Sequence, residues 1–347
     1  MTICKGCGVT LQHKDPNKPG YTPKEEGAYC QRCFRIMHYD DLLFSLRDTI
    51  PPEKIIQEIS SKEGIILWIV DLYDFESSMI PELEFEFKKR DVFLVCTKRD
   101  ILPKAVKEDK LLRFVERELK DRNLSIDQIH IVSLKDSVDS LKQEIKDFAK
   151  GRNVIVVGRA NVGKSTLLNR FLQKKDLTSS RYPGTTQAFL STEIDGVTYI
   201  DTPGIELEGS MIMKVKEEDL IHILPTKEVF VQIYQIHENQ SFIIGGLAQI
   251  DFETKEEASI AFYEKDELNI HRCKTDNKEE LWKKHYGELF QPIPMKKEFE
   301  TIQHEKQNEK EDVVISGLGF ICVSGNIDKI CVTVPKGVTV AFRKAMI

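Results

Sequence analysis

The chain has 347 residues, of which 41% are hydrophobic and 31% charged, and its net charge is −6. That length holds two or three domains with ample buried core, and the acidic balance excludes a general polyanion binder. No apolar run approaches the ~20 residues of a membrane helix, so no membrane partner is expected. The charge is uneven: residues 1–40 carry a net +2 and residues 313–347 a net +3, which leaves −11 for the middle. Nucleic-acid contacts are therefore expected at the ends. The N-terminus opens on Cys4 and Cys7 rather than an apolar or Arg-rich leader, so no targeting segment is expected and the location is cytoplasmic.

Cys4 and Cys7 form one Cys-x-x-Cys knuckle, and Cys30 and Cys33 form another, with 22 residues between the two. Each pair can bite one face of a tetrahedral Zn²⁺ from a tight turn. The stretch between them is polar and rich in Gly and Pro, so metal binding would supply the folding energy. His13 and His38 flank the site as ordinary surface or packing residues. Lys5, Arg32, Phe34 and Arg35 give this finger a basic, aromatic face that RNA, a protein or plain solvent would suit. Cys96, Cys273, Cys322 and Cys331 read as reduced structural thiols.

Residues 51–62 read as a helix with Pro at its start and Gly64 just past its end. Continuous apolar runs at 65–70 and 92–96 read as strands buried on both faces. Asp71 and Asp74 follow the first run, and Thr97, Lys98, Arg99 and Asp100 follow the second. A helix over 104–121 leads to a strand at 128–132, which runs into Ser133, Leu134 and Lys135. Thr-Lys-x-Asp at a strand end resembles the guanine reader of GTPases. Asp100 can accept two hydrogen bonds, from guanine's ring N–H and its exocyclic amine, a donor pair that adenine lacks. Lys98 lays its stem along the base, and Thr97 stands where Asn is commoner. Ser133, Leu134 and Lys135 resemble the Ser-Ala-Lys motif, whose middle N–H bonds the guanine oxygen.

A strand at 153–157, the motif Gly-Arg-Ala-Asn-Val-Gly-Lys-Ser at 158–165 and a helix at 166–172 follow in order. This is a phosphate-cradling loop in its expected setting. Its candidate phosphate-binding residues are Gly158, Asn161, Val162, Gly163, Lys164, Ser165 and Thr166. Lys164 would reach the β- and γ-phosphates, and Ser165 would hold Mg²⁺. Pro-Gly-Thr-Thr at 183–186 resembles a first switch, with Thr186 favoured over Thr185 as the Mg²⁺ and γ-phosphate sensor. Strands at 188–194 and 197–200 are joined by the turn signal Asp195-Gly196. The second strand ends in Asp201, Thr202, Pro203 and Gly204, a second switch in which Asp201 holds Mg²⁺ through water and Gly204 N–H bonds the γ-phosphate. Ile205 stands close to where Ras-type enzymes place a water-orienting Gln, so slow intrinsic hydrolysis is expected with no catalytic base to name. Asn161 sits where some GTPases of this group coordinate K⁺. Bonding to the loop backbone is the other reading of that residue.

Beyond residue 211 the pattern turns to β structure: a run at 240–251 broken by Gly245-Gly246, short strands at 259–263 and 268–272, and a helix at 278–286. Residues 292–312 read as a charged linker or flexible loop, and 313–347 as strands with a turn at Lys336-Gly337. His271, Arg272, Lys274, Lys336, Arg343 and Lys344 are candidate phosphate contacts, with plain surface as the alternative for each.

The guanine readers thus precede the phosphate binders, whereas in Ras-like proteins the phosphate loop leads. With the cysteine finger in front, this order resembles the YqeH-type circularly permuted GTPases over nearly the whole chain. Residues 71–75, 245–248 and 334–338 share in the resemblance. It implies an α/β fold: a circularly permuted Ras-like P-loop GTPase domain with an N-terminal zinc finger and a C-terminal β-rich domain, divided at 1–42, 43–215 and 216–347. It also implies GTP or GDP, Mg²⁺ and structural Zn²⁺ as ligands. The implied partner is the small ribosomal subunit, its rRNA or an assembly intermediate, ribosomal proteins included. Two other functions fit the residues: a GTPase switch on a protein partner, and a metabolic NTPase or kinase. No acceptor pocket is visible for the last, and the guanine motifs argue against it.

Overall fold

The computed structural model describes residues 10–14, 20–23, 52–172, 190–202, 204–205 and 209–347. Cys4, Cys7, Cys30 and Cys33 lie outside these, as do Thr185, Thr186 and Pro203. Of the N-terminal module, Gln12 bridges Tyr21, and the His13 ring nitrogen Nδ1 lies 2.7 Å from Thr22 O. Among the described residues no cluster of three or more His, Cys, Asp or Glu suits a metal ion.

Helix α1 (Pro52–Ser61) leads into β1 (Ile65–Asp71), then β2 (Val92–Thr97), helix α2 (Glu108–Asp121), β3 (Gln128–Ile131) and helix α3 (Asp139–Ala149). Next come β4 (Val154–Val157), helix α4 (Lys164–Phe171), β5 (Leu190–Ile194) and β6 (Val197–Asp201). The six strands form one sheet in the order β3-β2-β1-β4-β6-β5, parallel except for the β5–β6 hairpin. Every side chain of β1, β2 and β4 is buried, because helices cover both faces. Ile66, Trp68 and Val70 face α1 and α2, while Ile65, Leu67 and Ile69 face α3 and α4. The hairpin turns through Asp195 and Gly196, both at positive φ. The helix expected from 104 begins at Glu108, since Lys104 N is spent on Glu228 Oε1 and Val106 N on Pro103 O.

The sheet shows what the motif order means. Strand β4, which leads into the phosphate loop, lies at its centre beside β1, the first of the six in chain order. Moving β1, β2 and β3 behind β6 would restore the Ras-like order of motifs without moving any strand. Sheet contacts depend on adjacency in space and not on where the chain is cut.

The remaining strands are β7 (Val231–Ile236), β8 (Gln240–Ile244), β9 (Ala248–Glu253), β10 (Ala258–Tyr263) and β11 (Ile270–Lys274). After helix α5 (Lys278–His285) come β12 (Phe299–His304), β13 (Lys310–Ile315), β14 (Gly319–Gly325), β15 (Lys329–Pro335) and β16 (Val340–Lys344). They form two antiparallel five-stranded sheets, β16-β13-β14-β10-β7 and β11-β8-β9-β15-β12. Ile260, Phe262, Ile321 and Val323 of the first sheet share a core with Phe242, Ile250, Ile330 and Val332 of the second. The alternate residues Tyr263, Val314, Phe320 and Cys322 pack instead with the α1 and α2 side of the GTPase sheet. The first sheet is therefore covered on both faces and joins the two halves of the molecule.

Two expectations are corrected here. Residues 292–312 are not a linker: β12 pairs with β15, and β13 begins at Lys310. An edge strand needs backbone pairing and only one apolar face, so its charged residues hid it. Arg343 is not a free phosphate contact, since it is 7% exposed, pairs with Asp312 and Glu76, and lies over the Phe114 ring.

Glu264 follows β10 at this seam. It is 2% exposed, and neither carboxylate oxygen has a partner among the described residues. Burial raises its pKa from an ordinary 4.5 to about 8. A carboxyl whose folded pKa is raised contributes stability below its unfolded pKa and loses it as pH climbs through the folded one. Glu264→Gln should therefore match the parent near pH 4.5. Above pH 8 it should exceed the parent by a few kcal/mol in denaturant melts. A parallel pH profile for the two proteins would count against a neutral Glu264.

Candidate functional site

The site is built where β4, β1 and β2 end side by side. A Cβ on Gly158 would lie 2.5 Å from Ile69 O and 2.9 Å from Val162 Cγ2, so only glycine fits as β4 enters the loop. Asn161 and Gly163 both adopt left-handed backbone, at φ 64° and 96°, and helix α4 starts at Lys164. Asn tolerates that conformation better than most residues. A glycine-rich loop that runs into a helix N-terminus presents backbone N–H groups and the helix dipole to an anion. Lys164 is buried, and its Nζ donates to Gly158 O and Arg159 O, both at 2.8 Å. Burial lowers its pKa to about 8, and Asp201 works in the opposite direction. Ser165 is exposed, Thr166 half-buried and Val162 buried.

Strand β6 delivers Asp201 beside Val156 of β4. Asp201 Oδ1 is enclosed and has no hydrogen-bond partner among the described residues. Burial pushes its carboxyl up to about 6, against the pull of Lys164. An enclosed carboxylate oxygen without a donor fits a cation site, so the residues present accord with Mg²⁺. Thr202 Oγ1 donates to Val156 O at 2.8 Å and fixes the strand end. Gly204 then passes so close that a Cβ there would lie 3.0 Å from Ala160 Cα. Ile205 bridges Arg159: Ala160 N donates to Ile205 O at 3.0 Å. The start of the second switch therefore lies directly on the phosphate loop. Ile205 is fully buried, so its side chain packs in the core.

The expected guanine readers meet the same loop from the other side. Thr97 is fully buried, and its hydroxyl lies 3.0 Å from Val70 O and 2.6 Å from Val162 O, with one proton to share between them. The residue that replaces Asn therefore fastens the guanine-side strand to the phosphate loop. Lys98 adopts a left-handed backbone, and its Nζ donates to Asp71 Oδ2 at 2.6 Å. Asp100 pairs with Lys135 at 2.6 Å, and the same ammonium donates to Thr226 O at 2.9 Å. Leu134 Cδ1 lies 3.0 Å from where a Cβ of Gly163 would be, so the Ser-Leu-Lys loop caps the phosphate loop. Ser133 Oγ accepts from Lys135 N at 3.2 Å and shapes that turn.

Thr97, Lys98, Asp100, Ser133, Leu134, Lys135, Asp201 and Gly204 thus gather around residues 158–166. Thr185 and Thr186 lie outside the described residues. Sequence reasoning noted Asp71 only as a strand-end acid and missed its pairing with Lys98. It also missed Arg170, whose guanidinium donates to Lys135 O and Asp136 O. An unusually polar strand end was the one available signal for Asp71. Nothing local marks Arg170.

Comparison with known proteins agrees with this geometry. Residues 153–261 match the family described as 50S ribosome-binding GTPase, and residues 257–346 match the family described as YqeH-like, C-terminal. The first match begins at the phosphate-loop strand, so it leaves out the guanine-side strands that precede it. YqeH of Bacillus subtilis (strain 168) is 34% identical over 368 residues, covering 99% of this chain and 99% of its own. The NO-associated protein 1 (chloroplastic/mitochondrial) of Arabidopsis thaliana is 25% identical over 100% of this chain and 76% of its own. GTPase Der of Acetivibrio thermocellus is 26% identical over 56% of this chain and 49% of its own. With 34% identity to YqeH over its full length, the chain belongs to the YqeH family and is a circularly permuted GTPase.

Proposed function

We propose that this GTPase is a nucleotide-gated factor in assembly of the small ribosomal subunit, acting in the cytoplasm on RNA or a pre-ribosomal particle. The match of residues 153–261 to a family described as 50S ribosome-binding supports a ribosomal setting. The choice of the small subunit is our own. One observation carries the gating. The second switch starts on the phosphate loop at Gly204 and Ile205, and the chain is bonded into the C-terminal sandwich from Gly209 onward. Thr339 N donates to Gly209 O at 2.8 Å, and Met211 N donates to Ser316 O at 2.7 Å. A change at the γ-phosphate would reach the sandwich within a few residues.

In this reading Lys164 exchanges its two carbonyl partners for the β- and γ-phosphates, and Gly158, Asn161, Val162, Gly163 and Thr166 line the anion. Ser165 and Asp201, with Thr185 or Thr186, would hold Mg²⁺, which supplies charge neutralisation on the phosphates. Gly204 N–H meets the γ-phosphate. Asp100 releases Lys135 to accept guanine's two donors, Lys98 and Thr97 order the base loop, and Leu134 N–H faces the guanine oxygen between Ser133 and Lys135. A buried Ile205 orients no water, so intrinsic hydrolysis is slow and K⁺ near Asn161 would speed it. Cys4, Cys7, Cys30 and Cys33 would hold one structural Zn²⁺. One observation favours a protein partner as the second reading: Phe230 and Ile233, just before and within edge strand β7, are 70% and 63% exposed.

Three measurements test these assignments. Co-sedimentation with purified subunits should retain the protein on small subunits with a non-hydrolysable GTP analogue, less with GDP, and less again as salt rises. Retention on large subunits alone would overturn the choice of subunit. Asp100→Asn should cut the preference for GDP over xanthosine diphosphate at least tenfold, because the amide adds a donor where guanine offers donors. Unchanged selectivity would remove Asp100 from the base site. Thr97→Val keeps the shape but removes the proton shared by Val70 O and Val162 O. It should lower thermal stability by about 1–3 kcal/mol and weaken GDP binding.

A further inference from the structure

Loop 71–78 joins the base side of the nucleotide site to the sandwich. Asp71 is 6% exposed, and its two oxygens have different tasks. Oδ2 holds Lys98 Nζ at 2.6 Å, while Oδ1 accepts from Tyr73 N at 2.9 Å and Asp74 N at 3.3 Å. Leu72 N donates to Thr97 O at 3.1 Å, which ties the loop to the same strand end. The far side of the loop is bonded to one turn of the sandwich, 316–318, between β13 and β14. Gly317 N donates to Asp74 Oδ2 at 3.0 Å, and the Ser77 and Ser316 hydroxyls lie 2.6 Å apart. Tyr73 OH lies 3.2 Å from Leu318 O and 3.0 Å from Tyr263 O.

The same turn receives the second switch. Ser316 O accepts from Met211 N at 2.7 Å, and Ser316 N donates to Thr339 O, next to the Gly209 contact. A Cβ on Gly317 would lie 2.1 Å from Ser210 Oγ, and its φ is 74°, so no other residue fits between the two segments. One three-residue turn is therefore touched from the base side by Tyr73, Asp74 and Ser77, and from the phosphate side by Ser210 and Met211.

We propose that turn 316–318 couples both halves of the nucleotide site to the sandwich, with Asp71 as the positioning residue that links Lys98 to it. This rests on the reading of Lys98 as a guanine-side residue. When the base draws Lys98 aside, Asp71 loses its counter-charge in a nearly buried position, beside Asp74. An unpaired buried carboxylate is costly, so the loop shifts, and its bonds to the turn shift with it. The phosphate side acts on the same turn through residues 209–211. A partner docked on the sandwich would then alter nucleotide affinity by the factor with which nucleotide alters partner affinity.

The test is amide hydrogen exchange on the full chain, followed in peptides spanning 316–320, in the empty, GDP-bound and GTP-analogue-bound states. Exchange there should differ at least about fivefold between empty and GDP-bound protein, the lower end of ordinary coupling. Tyr73→Phe removes only a hydroxyl at the seam. It should reduce that difference and weaken GDP binding severalfold, although the Tyr73 hydroxyl bonds to Tyr263 O and Leu318 O and not to the phosphate loop among the described residues. Gly317→Ala should do the same more strongly, and the Tyr73 variant decides the question if Gly317→Ala fails to fold. Equal exchange at 316–320 in the empty and GDP-bound parent would overturn the coupling, as would a full parental response in Tyr73→Phe. Those outcomes stand apart from the base assignment, which the selectivity of Asp100→Asn tests alone.

Discussion

One buried hydroxyl sits where the nucleotide site is joined. Thr97 ends β2, and its Oγ1 reaches one carbonyl near the end of β1 and one in the phosphate loop, Val70 O and Val162 O. The glycines around it follow from the same crowding. Gly158 is pressed against Ile69 O, and Gly163 lies under Leu134. The central strands must end within a side chain's reach of one another, and that reach converts three distant stretches of sequence into one cradle. The threonine hydroxyl reaches both carbonyls, so this residue serves the seam as well as varying a motif.

Permutation changes what such a cradle can drive. In a chain that begins with the phosphate loop, the base-side strands come last and lead to whatever follows. Here they come first, and the second switch leads directly into the sandwich. The base side keeps a connection of its own through loop 71–78, and the segment before β7 adds another, since Val229 N donates to Ile101 O at 2.9 Å. The first sandwich sheet is covered by the second sheet on one face and by the GTPase half on the other. An element held on both faces moves as a body, which suits it to carrying a local change across the molecule.

Electrostatics at the same seam run counter to ordinary burial. Asp201 and Asp74 are each raised to about 6, and Glu264 to about 8, chiefly by desolvation. Lys164 and Lys98 are cations that pull the first two back down, and both are candidate nucleotide contacts. Lys164 is held on backbone carbonyls and Lys98 on Asp71. In the proposed reading a nucleotide would draw Lys164 to phosphate and Lys98 to the base, so the buried carboxylates are where the cost of the exchange would be felt.

The order of motifs, the doubly buried strands and the phosphate loop were legible in the sequence, because each is a local pattern. A run such as Ile-Ile-Leu-Trp-Ile-Val at 65–70 can only be a strand with both faces covered, and a glycine-rich loop between strand and helix has one geometry. Strand β12 was not legible, since an edge strand borrows its order from a neighbour, and its own residues are half polar. The pairs Lys98–Asp71 and Asp100–Lys135 join loops 27 and 35 positions apart, and the 316–318 turn meets residues more than 200 positions away. Sequence by itself determined which chemical groups the site contains and which elements carry them, through local backbone preference and apolar periodicity. Only the tertiary structure decided which of those groups neutralise one another and which turn touches both halves of the site, because such contacts depend on how strands stack in space and leave no local periodic signal.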